Sequence, residues 1–218
     1  MSDYPVTERN RVKRAHERGK YDRETVHAIL DAGIICHLGY SIDGQPFVTP
    51  TSYWRDGETV YVHGSSASRT LRDMGAGIEA CLAVTHLDGM VLARSGYHHS
   101  MNYRSVIMYG TAKPVTDPDE ILAALKIFMD QITPGRWDEC RAVNDQELKA
   151  TCVLAMTLGD VSAKVRTGPP VDDEADYASP MWAGVVPIHS VVGEPVADPR
   201  LPDGVAAPDY TKGFKFTA

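Results

Sequence analysis

The sequence predicts a mainly β protein, an antiparallel sheet that closes into a barrel with a few flanking helices. Three observations predict it. Three Asp-Gly pairs, Asp43-Gly44, Asp56-Gly57 and Asp88-Gly89, punctuate the first half between apolar or alternating runs, and Asp-Gly suits the tight turns whose twist matches a hairpin. The runs around them, "IICHLGYS", "FVTPTSYW", "TVYVHG", "ACLAVTHL" and "MVLARSG", read as strands. Helical stretches are few, and the strand–helix alternation of a doubly wound domain is absent.

The elements follow in order. Residues 1–20 are dense in charge and contain no apolar run of signal-peptide length. "YDRETVHAILDAG" reads as a helix, with Asp22 at its N-cap and Gly33 as its stop. In the first strand Ile34, Cys36, Leu38 and Tyr40 share one face while His37, Gly39 and Ser41 share the other, the pattern of a half-buried antiparallel strand. "SRTLRDM" opens a short helix, and "SVIMYGTAKPV" is a further strand. In "TDPDEILAALKIFMDQI" Asp117 can cap, Pro118 suits the first turn and Glu120 can close a capping box. Ile121, Leu122, Leu125, Phe128 and Ile132 then fall on one face. "NDQELKATCV" is a third helix, after which strands return in "VLAMTLG", "VSAKVRTG" and "WAGVVPIHS". "GPPVDDEADYASP" is a loop by composition. The expected organisation is one domain over residues 1–190 and an extended Pro/Gly-rich tail over 191–218.

With 218 residues, 43% hydrophobic and 23% charged, the chain can bury one substantial core. A formal net charge of -7 argues against a general nucleic-acid binder. No stretch is long and apolar enough to cross a bilayer, so the cytoplasm is the expected location. Cys36, Cys81, Cys140 and Cys152 form no C-x-x-C pair and read as free thiols.

Four stretches carry chemistry. In "YVHGSSASRTL" a strand ending at His63-Gly64 runs into Ser65, Ser66, Ala67, Ser68 and Arg69. Hydroxyls at a helix N-terminus, with a guanidinium that can grip two oxygens, make a phosphate cradle. An N-cap alone would need one serine. In "ARSGYHHSMNYRSVIMYG" a cluster of polar groups includes Asn102, Tyr103, Arg104 and Ser105. His98 and His99 are adjacent on an extended chain, so they point to opposite sides and are poor partners for one metal ion. In "FVTPTSYW" Pro50 interrupts a strand, which implies a ladder edge or a bulge. In "MWAGVVPI" Trp182 could stack on an aromatic ligand or pack in the core.

Taken together, "YVHGSSASR", "HHSMNYRSV", "SAKVRTGPP" and "WAGVVP" resemble the flavin-nucleotide-binding, pyridoxamine 5'-phosphate oxidase-like family, in the branch that includes nitroimidazole-resistance proteins. The resemblance runs from about Tyr21 to Ile188. It implies a split β-barrel of Greek-key type that binds FMN, as a homodimer with the flavin at the subunit interface. Ser68 and Arg69 match the pair that holds the FMN phosphate, with His63 and Ser65 flanking it. The backbone of Thr49, Pro50 and Thr51 would face the flavin ring. Asn102, Arg104 and Ser105 match the strand start that lines the cofactor, and Trp182 matches a late tryptophan near the flavin, from its own or the partner subunit. The chain departs from the oxidase in lacking a basic strand before the phosphate loop and the arginines after the late tryptophan. That speaks against pyridoxamine phosphate oxidation itself. The implied activity is an FMN-dependent oxidoreductase moving electrons from NAD(P)H to a small molecule. No catalytic side chain is assigned, with His99 and Tyr103 as candidates for a proton relay. The alternatives are a non-catalytic flavin-binding module, a haem-binding split barrel, and a deazaflavin in place of FMN.

Overall fold

The hairpin turns set the first half of the molecule. In the structure, a computed structural model describing residues 2–212, Asp43 and Gly44 take φ of 51° and 79° between β2 (Ile35–Ile42) and β3 (Gln45–Asp56). Two successive positive φ values match the twist of the flanking strands. Asp56-Gly57 turns β3 into β4 (Thr59–Ser65), with Gly57 at φ 53°. The third pair makes no turn. Asp88-Gly89 lies inside one long strand, β5 (Glu79–Leu92), at a bulge between Leu87 and Gly89. The two strands expected on either side of it are therefore one. A bidentate ion pair from Arg104, both contacts 2.9 Å, fixes Asp88 there.

The remaining elements are β1 (Gly19–Lys20), α1 (Arg23–Asp31), α2 (Arg69–Gly75), β6 (Ser100–Thr111) and β7 (Lys113–Pro114). After them come α3 (Pro118–Ile132), α4 (Arg136–Glu139), α5 (Asp145–Ala150), β8 (Thr151–Thr157), β9 (Asp160–Arg166) and β10 (Gly184–Pro187). The third expected helix is short, because Thr151, Cys152 and Val153 extend to pair with β4. All the strand pairs are antiparallel, in the order β1-β9-β6-β5-β2-β3-β4-β8-β7, with β10 added beside β5. β9 and β8, each next to last at opposite ends of that path, are joined directly by Leu158-Gly159. The sheet thus curls back on itself as a split barrel, the fold the sequence predicts.

Alternation decides what faces inward. Cys36, Leu38 and Tyr40 point into the barrel, with Val60, Val62, Leu82, Val84, Val106, Met108, Leu154 and Met156. Burying such side chains contributes about 1.5–3 kcal/mol each before chain entropy is counted. A smaller cluster lies outside the barrel, where α3 covers Trp54 and Val153. The covering face holds Ile121, Ala124, Leu125, Ile127 and Phe128, so Leu122 and Ile132 fall outside the expected stripe. Asp22 caps α1 through Thr25 N at 2.8 Å, and Asp117 caps α3 through Asp119 N and Glu120 N. The capping box is on α5 instead, between Asn144 and Glu147.

The charged N-terminal segment is anchored. Tyr4 is buried, its hydroxyl donating to Glu58 at 2.8 Å and meeting His27 Nε2 at 2.9 Å. Buried Asn10 donates to the carbonyls of Pro5 and Val161. Residues 191–208 have no helix or strand, and a short turn of 3-10 helix follows at Asp209–Lys212. The end of the expected tail, 213–218, lies outside the described residues.

Candidate functional site: the free edge of β3

β3 pairs with β2 from Gln45 to Ser52 but with β4 only from Tyr53 to Asp56. Past that point β4 keeps pairing with β8 as far as Ser65. The stretch 45–52 therefore has one ladder side without a partner among the described residues. Pro46 and Pro50 lack N–H groups, and a strand with an unpaired side tolerates them. The edge expected at Pro50 is present, with Pro50 opposite His37 in β2.

The connection after β4 turns back toward this edge. Ser66 N donates to Ala150 O at 2.8 Å, and Ser65 Oγ accepts from Ala67 N at 3.2 Å. Ser68 is the N-cap of α2, its hydroxyl accepting from Leu71 N at 3.5 Å. Leu71 packs closely over Gly64, where a Cβ would stand 2.9 Å from Leu71 Cδ1. α2 then delivers two side chains to the edge. Thr70 Oγ1 meets Tyr40 Oη at 2.9 Å, and Tyr40 Oη lies 3.4 Å from Thr49 Oγ1. The Arg69 guanidinium sits over the Phe47 ring at 5.3 Å, and Phe47 stacks on Tyr40. Arg69 is 69% exposed, with Asp73 no closer than 4.0 Å. The result is a patch of hydroxyls and unpaired backbone beside a cation with weak internal commitments. Of the expected residues, Thr49, Pro50 and Thr51 lie on the free edge itself, Arg69 reaches it over Phe47, and Ser65 and Ser68 lie in the connection that leads to Arg69. Tyr40, Phe47 and Thr70 were not anticipated, because a strand pattern marks Tyr40 only as core.

The other expected residues lie elsewhere. His63 is outside the barrel, its ring between Trp54 and Phe128. Asn102 is buried and holds the chain after β9, donating to Gly168 O at 3.1 Å and accepting from Arg166. Arg104 is engaged by Asp88, which holds its guanidinium more firmly protonated. Ser105 donates to Lys164 O at 3.3 Å. Trp182 is 67% exposed. It precedes β10, which pairs with the Gly89–Leu92 end of β5, whereas the Tyr40 edge adjoins Ala80 at the other end. His99 Nδ1 lies 2.9 Å from Ser95 O within its own loop. Among the described residues no group of three or more His, Cys, Asp or Glu could hold a metal ion, and no helix is long and apolar enough to cross a membrane.

The profile of the pyridoxamine 5'-phosphate oxidase family matches residues 22–165. No curated protein sequence matches the chain. Among solved structures, the flavocytochrome Anf3 from Azotobacter vinelandii is 45% identical with a TM-score of 0.91, over 96% of this chain and 97% of that one. The FAD and haem binding protein from Mycobacterium smegmatis is 35% identical with a TM-score of 0.87, over 90% and 97%. A candidate 5-nitroimidazole antibiotic resistance protein from Bacteroides thetaiotaomicron, 20% identical with a TM-score of 0.55 over 67% and 86%, shares the fold. The family profile spans the greater part of the chain and the flavocytochrome aligns with nearly all of it, so the chain belongs to the pyridoxamine 5'-phosphate oxidase-like family of split barrels.

Proposed function

We propose that this chain is a flavoprotein oxidoreductase that holds a flavin nucleotide along the free edge of β3 and carries haem as a second redox group. The observation that carries the flavin reading is Arg69, an exposed guanidinium poised beside an unpaired strand edge, whose carboxylate partner Asp73 stands 4.0 Å away. A phosphate is the ligand such a fork suits best. Ser68 adds a hydroxyl beside it. The edge from Gln45 to Ser52 offers backbone N–H and C=O groups to the polar rim of a flat ring. FMN and FAD share the phosphate that Arg69 would grip. The FAD named for the Mycobacterium smegmatis relative makes both forms candidates beside the expected FMN.

When bound, the flavin would supply the two-electron chemistry that takes hydride from NAD(P)H and passes electrons to a small-molecule acceptor. The chain's own residues bind and orient. Arg69 and Ser68 fix the phosphate end, and Thr49, Thr70 and Tyr40 form a hydroxyl row at the edge. A second copy of the chain would cover the edge. Ile35, Val48, Leu87 and Ile107 are exposed on the outer face of the β3-β2-β5-β6 sheet, an apolar surface of the kind that subunits bury.

The test is an absorbance spectrum of the purified protein before and after adding FMN or FAD, haemin and NAD(P)H. The expected result is bound flavin that NAD(P)H bleaches faster than it bleaches free flavin. Bound flavin reduced no faster than free flavin would make the chain a carrier, and no bound flavin would end the reading.

A further inference from the structure

Four buried side-chain polar atoms have no hydrogen-bond partner among the described residues, and two of them, Trp54 Nε1 and His63 Nδ1, belong to one cluster. Trp54 is 1% exposed. The His63 ring stands 5.6 Å from the Trp54 ring and 5.0 Å from the Phe128 ring, centre to centre. Its Nδ1 is buried with no hydrogen bond among the described residues. Every other histidine is either engaged or open to solvent. His27 meets Tyr4 and Glu58, His86 meets Ile29 O, His98 meets Asp173 and His99 meets Ser95 O. His16 lies exposed beside Glu17, and His37 and His189 are exposed. His63 alone is half-buried among aromatic rings with its lone pair uncommitted.

Two further observations narrow what such a ring is for. A single imidazole cannot hold a bare ion, and no second ligand is grouped with it. Haem iron needs only one or two protein ligands, because the macrocycle supplies four. It also needs an apolar wall, and Phe128, Leu125, Leu148 and Val153 belong to the same cluster as Trp54.

We infer that His63 is an axial ligand of haem iron, binding through Nε2, with the apolar side chains packed around Trp54 beneath α3 as the neighbouring wall. This rests on the haem half of the proposed function and names its protein ligand. It also places the two redox groups on either side of one short segment. His63 points out of the barrel beneath α3, while Arg69, six residues later, leans over the inward-facing Phe47. The β4–α2 connection would then join both sites covalently.

The experiment is a haemin titration of the flavin-loaded protein, followed by the Soret band and by electron paramagnetic resonance. The variants are His63→Ala, His63→Gln and a control, His37→Ala. The wild type and the control should show a histidine-ligated spectrum. Both His63 variants should lose it and keep their flavin, and added imidazole should restore it in His63→Ala. A His63→Gln protein with an unchanged haem spectrum would overturn the assignment and leave the flavin and haem reading standing. A wild type that takes flavin but no haemin would remove the assignment together with the haem half of that reading. Should His63→Ala fail to fold, the flavin-loaded His63→Gln protein decides by the same criterion.

Discussion

Arg69 matters because of what it lacks, a carboxylate nearer than 4.0 Å. Replacing it with alanine should weaken FMN by about 1.5–3 kcal/mol, the range for hydrogen bonds to a charged group, and leave riboflavin almost unchanged. Fluorescence titration of both ligands checks this, and equal losses would show that Arg69 does not hold the phosphate. In the haem-free protein His63 makes a separate prediction from its depressed pKa. The unfolded chain takes up this proton at a higher pH than the folded one. Stability is therefore retained above the ordinary histidine range and lost as pH falls through it, from about pH 7 toward pH 5. His27, also lowered by burial, adds to the same slope. His63→Gln should flatten the decline of urea-unfolding stability across that window without abolishing it. Cys36 is wholly buried, and burial pushes its thiol up to about 12. Alkylation at neutral pH, read by mass spectrometry, should label exposed Cys140 in the folded protein and reach Cys36 only on unfolding.

At the scale of elements, the bulge in β5 shows how one dipeptide can serve two ends. Asp43-Gly44 adopts positive φ and turns the chain. Asp88-Gly89 stays extended because Arg104 clamps the aspartate and β10 lies against the glycine. A Cβ on Gly89 would stand 3.0 Å from both Val186 O and Val185 Cγ1. Gly89→Ala should therefore displace β10 and cost about 1–3 kcal/mol in urea unfolding. Fast amide exchange at residues 184–187 would mark the detached strand, and an unchanged midpoint would show that β10 can shift freely. The same element explains Arg104. Its place at the start of an apolar strand looks like a ligand contact in sequence, but the structure gives it an internal partner.

For the molecule as a whole, the outer face of the sheet is the unfinished surface. Val48 is 69% exposed, and Ile35, Leu87 and Ile107 share its face. A charge placed there should block the proposed association, so light scattering should give Val48→Asp the mass of a monomer and the wild type twice that mass. Because the free edge of β3 adjoins that face, the variant should also release flavin faster. A wild type that is monomeric with flavin bound would remove the dimer from the proposal.

The strands, the hairpin turns at Asp43 and Asp56 and the caps of α1 and α3 were determined by the sequence alone. Each depends on residues a few positions apart, through alternation, turn chemistry and local hydrogen bonds. So was the gathering of Ser65, Ser68 and Arg69, which are neighbours in the chain. Only the tertiary structure decided that Tyr40 and Phe47 complete that patch, that Asp88-Gly89 bulges instead of turning, and that His63 stands alone among aromatic rings. Those outcomes depend on partners in other elements, some as far as 65 residues away, as in Arg104 against Asp88 and Phe128 against His63. No local pattern records such a partner, because it is the packing of one element on another that selects it.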